Sequence, residues 1–150
     1  MAHDGRTGMI IPQEYTILLV EDSKTIRLAY HVILQNHGFN VIEAEDGQTA
    51  WKEAFEKKPD LILLDLILPD VSGFDILKKI RATEQTKDIP VVVLTNLKEI
   101  CDVQKAINLG ANFYGYKGDA SPQKILSIID KILEKRIAAK NPDPDNPPAV

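Results

Sequence analysis

Asp65 ends the apolar run 61–64 and is followed by Pro69 and Gly73. A short apolar run of this kind is typical of a parallel strand buried on both faces, and ligand sites in such sheets collect at the carboxyl ends of the strands. A carboxylate placed there can act as a nucleophile towards phosphorus, as a metal ligand or as a capping group for the next loop. Asp65 alone leaves these three roles open.

Other strand-end polar residues follow apolar runs in the same way, namely Glu21, Asp22, Thr95 and Lys117. Three carboxylates that lie close together repel one another unless a cation neutralises them. An all-oxygen cluster suits a hard cation such as Mg²⁺, which takes one or two carboxylates and keeps waters for a phosphoryl ligand. With a lysine beside this cluster, the residue types indicate phosphoryl transfer to Asp65.

The elements that must bring these residues together alternate regularly along the chain. Apolar runs predict strands at 16–20, 41–42, 61–64, 91–94 and 113–116. Helical periodicity after each strand indicates five βα units, and hence an α/β fold with a doubly wound, flavodoxin-like parallel sheet of order 2-1-3-4-5. In that order strands 1, 3, 4 and 5 are neighbours about 4.8 Å apart, so we expect the polar residues at one edge of the sheet.

The composition predicts one globular domain. The 150 residues carry a net charge of −4 without a block of lysine and arginine, which argues against direct binding of nucleic acid or of an anionic membrane. The single cysteine excludes an internal disulfide, and no apolar stretch approaches the ~20 residues of a membrane span. We therefore expect a cytoplasmic protein with a domain at 15–137, an N-terminal extension at 1–14 and a disordered tail or linker at 138–150.

The chain resembles a response-regulator receiver domain of two-component signalling, from about residue 16 to about residue 136. The resemblance rests on Glu21 with Asp22, Asp65 with Pro69 and Gly73, Thr95, the turn at 110–111 that leads to Tyr114, and Lys117. It implies a Mg²⁺-dependent domain that takes a phosphoryl group from a histidine kinase or a histidine phosphotransfer protein. Such a domain catalyses only its own phosphorylation and dephosphorylation.

The same resemblance implies a metal-binding role for four residues. Asp65 is expected to be the phosphoacceptor, and Asp22 and Asp65 to bind the metal directly. Glu21 would bind it directly or through water, and the backbone carbonyl of Ile67 would complete the protein ligands.

Phosphate binding and switching are also implied by the resemblance. Lys117 and the Thr95 hydroxyl are expected to contact the phosphoryl oxygens, and Tyr114 to switch together with Thr95. Two positions depart from the family's usual pattern: Asn96 replaces a small residue in the phosphate pocket, and Gly118 replaces the proline that commonly follows the lysine. We expect a narrowed pocket, and the Lys117–Gly118 bond is left open as cis or trans.

Each of these residues also has an ordinary structural interpretation. Glu21 and Asp22 can simply cap the first helix, and Thr95 can satisfy backbone groups at a strand end. Tyr114 can fill space against the sheet, and Lys117 can form a structural ion pair.

Three other classes of protein share part of the pattern. A haloacid dehalogenase-type phosphatase needs a second carboxylate two residues after the nucleophile, where this chain has Ile67. A flavodoxin-like cofactor binder needs a phosphate loop after strand 1, where Glu21 and Asp22 would repel phosphate. The remaining alternative is a receiver-like interaction module that no longer takes phosphate.

The first helix predicts a docking surface for the phosphodonor. Its core face uses Ile26, Tyr30, Ile33 and Leu34, which leaves Leu28 and Val32 one turn apart on the outward side. We expect this patch to dock a histidine-bearing helix, although single exposed apolar residues are common. The face made by helix 4, strand 5 and helix 5 is the expected output surface, and the protein is expected to be a monomer or a weak dimer through that face.

Overall fold

The computed structural model of the protein describes residues 14–140, in which five strands alternate with five longer helices. The strands are β1 (Thr16–Val20), β2 (Asn40–Ala44), β3 (Leu61–Leu64), β4 (Val91–Thr95) and β5 (Phe113–Tyr116). The helices are α1 (Lys24–Asn36), α2 (Gly47–Lys57), α3 (Gly73–Ala82), α4 (Ile100–Asn108) and α5 (Pro122–Lys140).

The strands form one parallel sheet in the order β2-β1-β3-β4-β5. Every residue of β3 and β4 is buried, as is all of β1 after Thr16. Strands covered on both faces have continuous apolar runs of this kind. The predicted α/β fold and strand order are therefore confirmed, and the carboxyl ends of the strands lie along one edge.

Alternate strand residues face two separate cores. On one face, Leu18 and Ile62 pack with residues of α2, α3 and α4. On the other face, Ile17 and Leu61 pack with residues of α1 and α5. None of the described helices has the length and apolarity needed to cross a membrane. The two cores hold the sheet from both sides and so fix the positions of the strand-end residues.

Two predicted boundaries differ from the structure. Strand β2 was expected at 41–42, but it pairs with β1 from Asn40 to Ala44. Helix α5 continues to Lys140, so residues 138–140, the first of the predicted tail or linker, are helical. Nη1 of Arg136 donates a 2.6 Å hydrogen bond to the carbonyl of Asp60, which ties the late turns of α5 to the sheet. The other residues of the predicted extension and tail, 1–13 and 141–150, lie outside the described range.

The chain turns sharply after β5. Lys117–Asp119 forms a short 3₁₀ turn, and residues 14–140 contain no cis peptide bond, so the Lys117–Gly118 bond is trans. A Cβ atom on Gly118 would lie 2.4 Å from Cε2 of Tyr116. A larger residue at position 118 would therefore require the Tyr116 ring to move.

Candidate functional site

Three carboxylates meet at the carboxyl edge of the sheet. Oxygen atoms of Glu21, Asp22 and Asp65 all lie within 4.8 Å of one another. Glu21 and Asp65 are only 2% and 5% exposed, whereas Asp22 is open to solvent. Carboxylates this close and this buried repel one another, so the cluster is stable only with positive charge beside it.

Lys117 provides one such charge. Its Nζ lies 2.8 Å from Oδ2 of Asp65 and also pairs with Oε1 of Glu21. Burial favours the neutral amine, but the hydrogen bonds and the charges of the two carboxylates outweigh it, so the pKa of Lys117 is raised. The site therefore contains three carboxylates, two of which, Glu21 and Asp65, share one half-buried ammonium group.

Glu21 is the most constrained of the three carboxylates. Burial raises its pKa, while the hydrogen bond from Lys117 opposes this effect. Oε2 of Glu21 accepts a 3.0 Å hydrogen bond from the backbone N–H of Ser23. Ser23 is itself the N-cap of α1, since its Oγ accepts from the N–H of Ile26 at 3.4 Å. The helix cap is thus Ser23, and capping does not explain the acidic pair.

The hydroxyl of Thr95 is buried without a partner. Thr95 is 0% exposed, and its Oγ1 makes no hydrogen bond within residues 14–140. Leaving a buried polar group unpaired costs about 1–3 kcal/mol. Thr95 ends the strand next to β3, which Asp65 follows, so its unpaired hydroxyl lies at the edge of the sheet that carries the acidic cluster.

The loop between β3 and α3 closes tightly after Asp65. The N–H of Gly73 donates to the carbonyl of Leu66 at 2.9 Å, and a Cβ on Gly73 would lie 2.5 Å from the backbone oxygen of Asp65. Only glycine allows this close approach. The N–H of Ile67 donates to Oδ1 of Asp65 at 3.2 Å, while the Ile67 side chain is 50% exposed. The loop therefore holds Ile67 directly beside the acidic cluster.

Tyr114 lies on β5, at the side of the site next to Thr95. Its half-buried ring packs against the core under α2, α3 and α4, and its hydroxyl donates to the carbonyl of Leu97. Burial, followed by the negative charges of Asp102 and Asp65, raises the pKa of Tyr114 to about 12. Asn96, the residue between Thr95 and Leu97, is exposed.

Two residues of α1 at this site were not predicted. Nη1 of Arg27 donates to the carbonyl of Glu21 at 2.9 Å, and Nε of Arg27 pairs with Oε1 of Glu43 at 3.0 Å. Tyr30 lies near the buried charges, and burial, which is the largest influence, raises its pKa. Arg27 and Tyr30 are three residues apart and therefore share one side of the helix, which was the signal available in the sequence.

The predicted docking residues lie on the outward side of α1. Leu28 is 60% exposed and Val32 is 45% exposed. Their exposure matches the expectation, and their role in docking stays a prediction.

Residues 17–130 match the family model of the response regulator receiver domain. The phosphate regulon transcriptional regulatory protein PhoB of Escherichia coli is 38% identical over 119 residues, which cover 79% of this chain and 52% of PhoB. The chain thus spans about half the length of such curated relatives.

Two solved structures share the fold. The chemotaxis protein CheY4 of Vibrio cholerae has a TM-score of 0.73 and 29% identity, over 79% of this chain and 98% of that chain. The receiver domain of the sensor histidine kinase PA1611 of Pseudomonas aeruginosa has a TM-score of 0.73 and 28% identity, over 79% of this chain and 97% of that chain. That second structure contains a magnesium ion coordinated in its active-site cleft.

Proposed function

The chain belongs to the response regulator receiver domain family, and from this we propose that it accepts a phosphoryl group on Asp65 in a Mg²⁺-dependent reaction. The donor is a histidine kinase or a histidine phosphotransfer protein. The observation that carries the proposal is the 2.8 Å pairing of Asp65 with Lys117 inside a cluster of three carboxylates. The only reactions that the domain catalyses are its own phosphorylation and dephosphorylation.

The reaction needs a nucleophile and groups that hold the phosphoryl oxygens. A carboxylate oxygen of Asp65 attacks the phosphorus of the donor, and a new P–O bond forms while the bond from phosphorus to the donor's histidine nitrogen breaks. The imidazole leaves with the bonding electron pair. Lys117 turns its ammonium to the phosphoryl oxygens, and the unpaired Thr95 hydroxyl donates to another of them. Positioning and charge stabilisation of this kind supply most of the catalysis in phosphoryl transfer.

The donor set at this site fits Mg²⁺. The cluster has three carboxylates and one ammonium, which leaves an excess of two negative charges if all three carboxylates are ionised, and a divalent cation balances this excess. Asp22 and Asp65 would hold the metal directly, with the carbonyl of Ile67. Glu21 would act directly or through water, because its two oxygens already engage Lys117 and the N–H of Ser23. When bound, the metal offsets the negative charge of the incoming phosphoryl group.

Two surfaces are proposed for partners. The Leu28 and Val32 patch on α1 docks the histidine-bearing donor. The face of α4, β5 and α5 carries the output, and exposed Ile100 and Ile107 on α4 give it apolar area. The protein acts as a monomer or as a weak dimer through this face. PhoB is a transcriptional regulator, and the P. aeruginosa domain belongs to a sensor histidine kinase, which supports partners within a two-component pathway.

Incubation with MgCl₂ and acetyl phosphate, followed by measurement of the intact mass, tests this function. Wild-type protein should gain the mass of one phosphoryl group, and excess EDTA should abolish the gain. Asp65→Asn should remain unlabelled, while Asp88→Asn, a charge change in the distant α3–β4 loop, should label normally. A folded wild-type protein that gains no mass would instead identify a receiver-like interaction module.

A further inference from the structure

Asp70, in the loop between β3 and α3, is a second carboxylate residue after Asp65, and it contacts helix α2. Oδ1 of Asp70 accepts the backbone N–H of Gly47 at 2.8 Å, and Oδ2 accepts the N–H of Gln48 at 2.9 Å. Oδ1 also accepts the N–H of Val71 at 2.9 Å, within the loop itself. Asp70 therefore joins the loop that follows Asp65 to the first turn of α2.

Both Gly47 on α2 and Asp70 in the loop have properties that favour this contact. A Cβ on Gly47 would lie 2.2 Å from Cγ2 of Val71 and 3.2 Å from Oδ1 of Asp70, so a larger residue would have to displace these side chains. The hydrogen bond from Gly47, followed by the one from Gln48, lowers the pKa of Asp70. The carboxylate is thus held in its charged form against donors that helix N-termini leave unsatisfied.

Helix α2 does not depend on Asp70 for its cap. Asp46 is the N-cap, and its Oδ1 accepts the N–H of Thr49 at 2.7 Å. Asp70 approaches the same turn from the neighbouring loop. The two carboxylates offer a matched pair for experiment, because both stabilise the start of α2 and only Asp70 belongs to the loop beside the phosphorylation site.

The contact bears on the proposed reaction through Ile67. At its base the loop is closed by the hydrogen bond between Gly73 and Leu66, and the N–H of Ile67 reaches Oδ1 of Asp65. The loop packs on the core through Leu66 and Leu68, but the Ile67 and Val71 side chains are 50% and 41% exposed and add little further support. The hydrogen bonds of Asp70 supply that support from α2.

We propose that Asp70 is a positioning residue that fixes the β3–α3 loop on α2 and so holds Ile67 beside Asp65 for metal binding. The inference rests on the proposed function, because it assigns the Ile67 carbonyl to the Mg²⁺ site. Asp70 touches neither metal nor phosphate in this role. Residues that orient metal ligands typically change metal affinity when they are replaced.

Two measurements on Asp70→Ala, Asp70→Asn and Asp46→Ala test the proposal. The first is titration with MgCl₂ alone by isothermal calorimetry. The second, in metal-free buffer, is amide hydrogen exchange at Ile67 and Gly73, whose N–H groups do not bond to Asp70. Thermal melts of the three variants measure how far each substitution lowers the melting temperature of the protein.

Asp70→Ala should weaken Mg²⁺ binding by roughly tenfold and speed exchange at both amides. Asp70→Asn retains one acceptor oxygen at the position of Oδ1 and should fall between Asp70→Ala and wild type. Asp46→Ala should lower the melting temperature while leaving Mg²⁺ affinity and the two exchange rates at wild-type values.

Equal effects of Asp70→Ala and Asp46→Ala would overturn the proposal, because Asp70 would then be only a second cap. Faster exchange with unchanged Mg²⁺ affinity would overturn it as well. A wild-type protein that does not bind Mg²⁺ would contradict the proposed function, and the exchange rates would still decide whether Asp70 holds the loop.

Discussion

The hydroxyl of Tyr114 donates a 2.5 Å hydrogen bond to the backbone carbonyl of Leu97, two residues beyond Thr95. The bond joins β5 directly to the loop that follows β4. A backbone movement that draws Leu97 together with Thr95 towards Asp65 would therefore either carry Tyr114 with it or break this bond. The pairing gives a physical basis for coupling the two predicted switch residues.

Replacing Tyr114 by Phe should change how stability depends on pH. The folded state raises the pKa of this phenol from 10.0 to about 12, so it holds the proton more tightly than the unfolded chain does. The stabilising contribution of Tyr114 is complete below pH 10.0 and is lost as the pH rises towards 12. In urea unfolding across this range, the free energy of unfolding should fall more steeply for wild type than for Tyr114→Phe. Parallel pH curves for the two proteins would contradict the assignment.

Mg²⁺ should stabilise the folded protein. At a Mg²⁺ concentration of about ten times the Kd, binding to the folded state alone adds about 1.4 kcal/mol to the free energy of unfolding and raises the melting temperature. Asp22→Asn should blunt this response because it removes an exposed ligand. Asp88→Asn makes the same charge change in the distant α3–β4 loop and should respond like wild type. If Mg²⁺ leaves the wild-type melting curve unchanged, the acidic cluster is not a metal site.

Leu28→Glu should separate docking from chemistry. A charge at the centre of the α1 patch should slow phosphotransfer from a protein donor and leave labelling by acetyl phosphate intact. Phe55→Glu is the matched control, because Phe55 is an exposed apolar residue on α2 with 40% exposure. It should slow neither reaction. Equal loss of both reactions in Leu28→Glu would indicate misfolding.

The phosphorylated state should decay slowly for this family. The residues two positions beyond Asp65 and Thr95 are Ile67 and Leu97, and neither side chain can orient a water for attack on the acyl phosphate. The loss of one orienting hydrogen bond costs about 1–2 kcal/mol, or about tenfold in rate. Ile67→Asn and Leu97→Glu should therefore shorten the lifetime, as followed by intact mass over time. A wild-type protein that loses phosphate faster than both variants would contradict this prediction and show that the pocket works differently.

Most of the fold was predictable because β3 and β4 are continuous apolar runs, and such runs indicate strands buried on both faces. Once the sheet is parallel, all strand ends share one edge, and this places Asp65 and Thr95 near each other from sequence alone. The extent of β2 was not predictable. This edge strand is largely exposed or half-buried, and its ends are fixed by pairing with β1.

The contacts that refine the site depend on side chains from separate elements. In the sequence, Glu21 is a possible helix cap. In the structure, its carboxylate oxygens accept hydrogen bonds from Lys117 and from the N–H of Ser23. Helical spacing places Arg27 on the same side of α1 as Tyr30, but its bond to the carbonyl of Glu21 cannot be located from the sequence, and neither can the bonds from Asp70 to α2. Each depends on how a strand-end loop approaches a neighbouring loop or helix after the sheet has formed.

The most direct test of the central claim is to locate the phosphoryl group. Protein labelled with acetyl phosphate and MgCl₂ is reduced with borohydride, which converts an aspartyl phosphate to homoserine, and the peptides are sequenced by tandem mass spectrometry. The account predicts homoserine at position 65 in wild type, its absence in Asp65→Asn and its absence when EDTA replaces MgCl₂. Homoserine at position 22, or labelled protein with an intact aspartate at position 65, would contradict it.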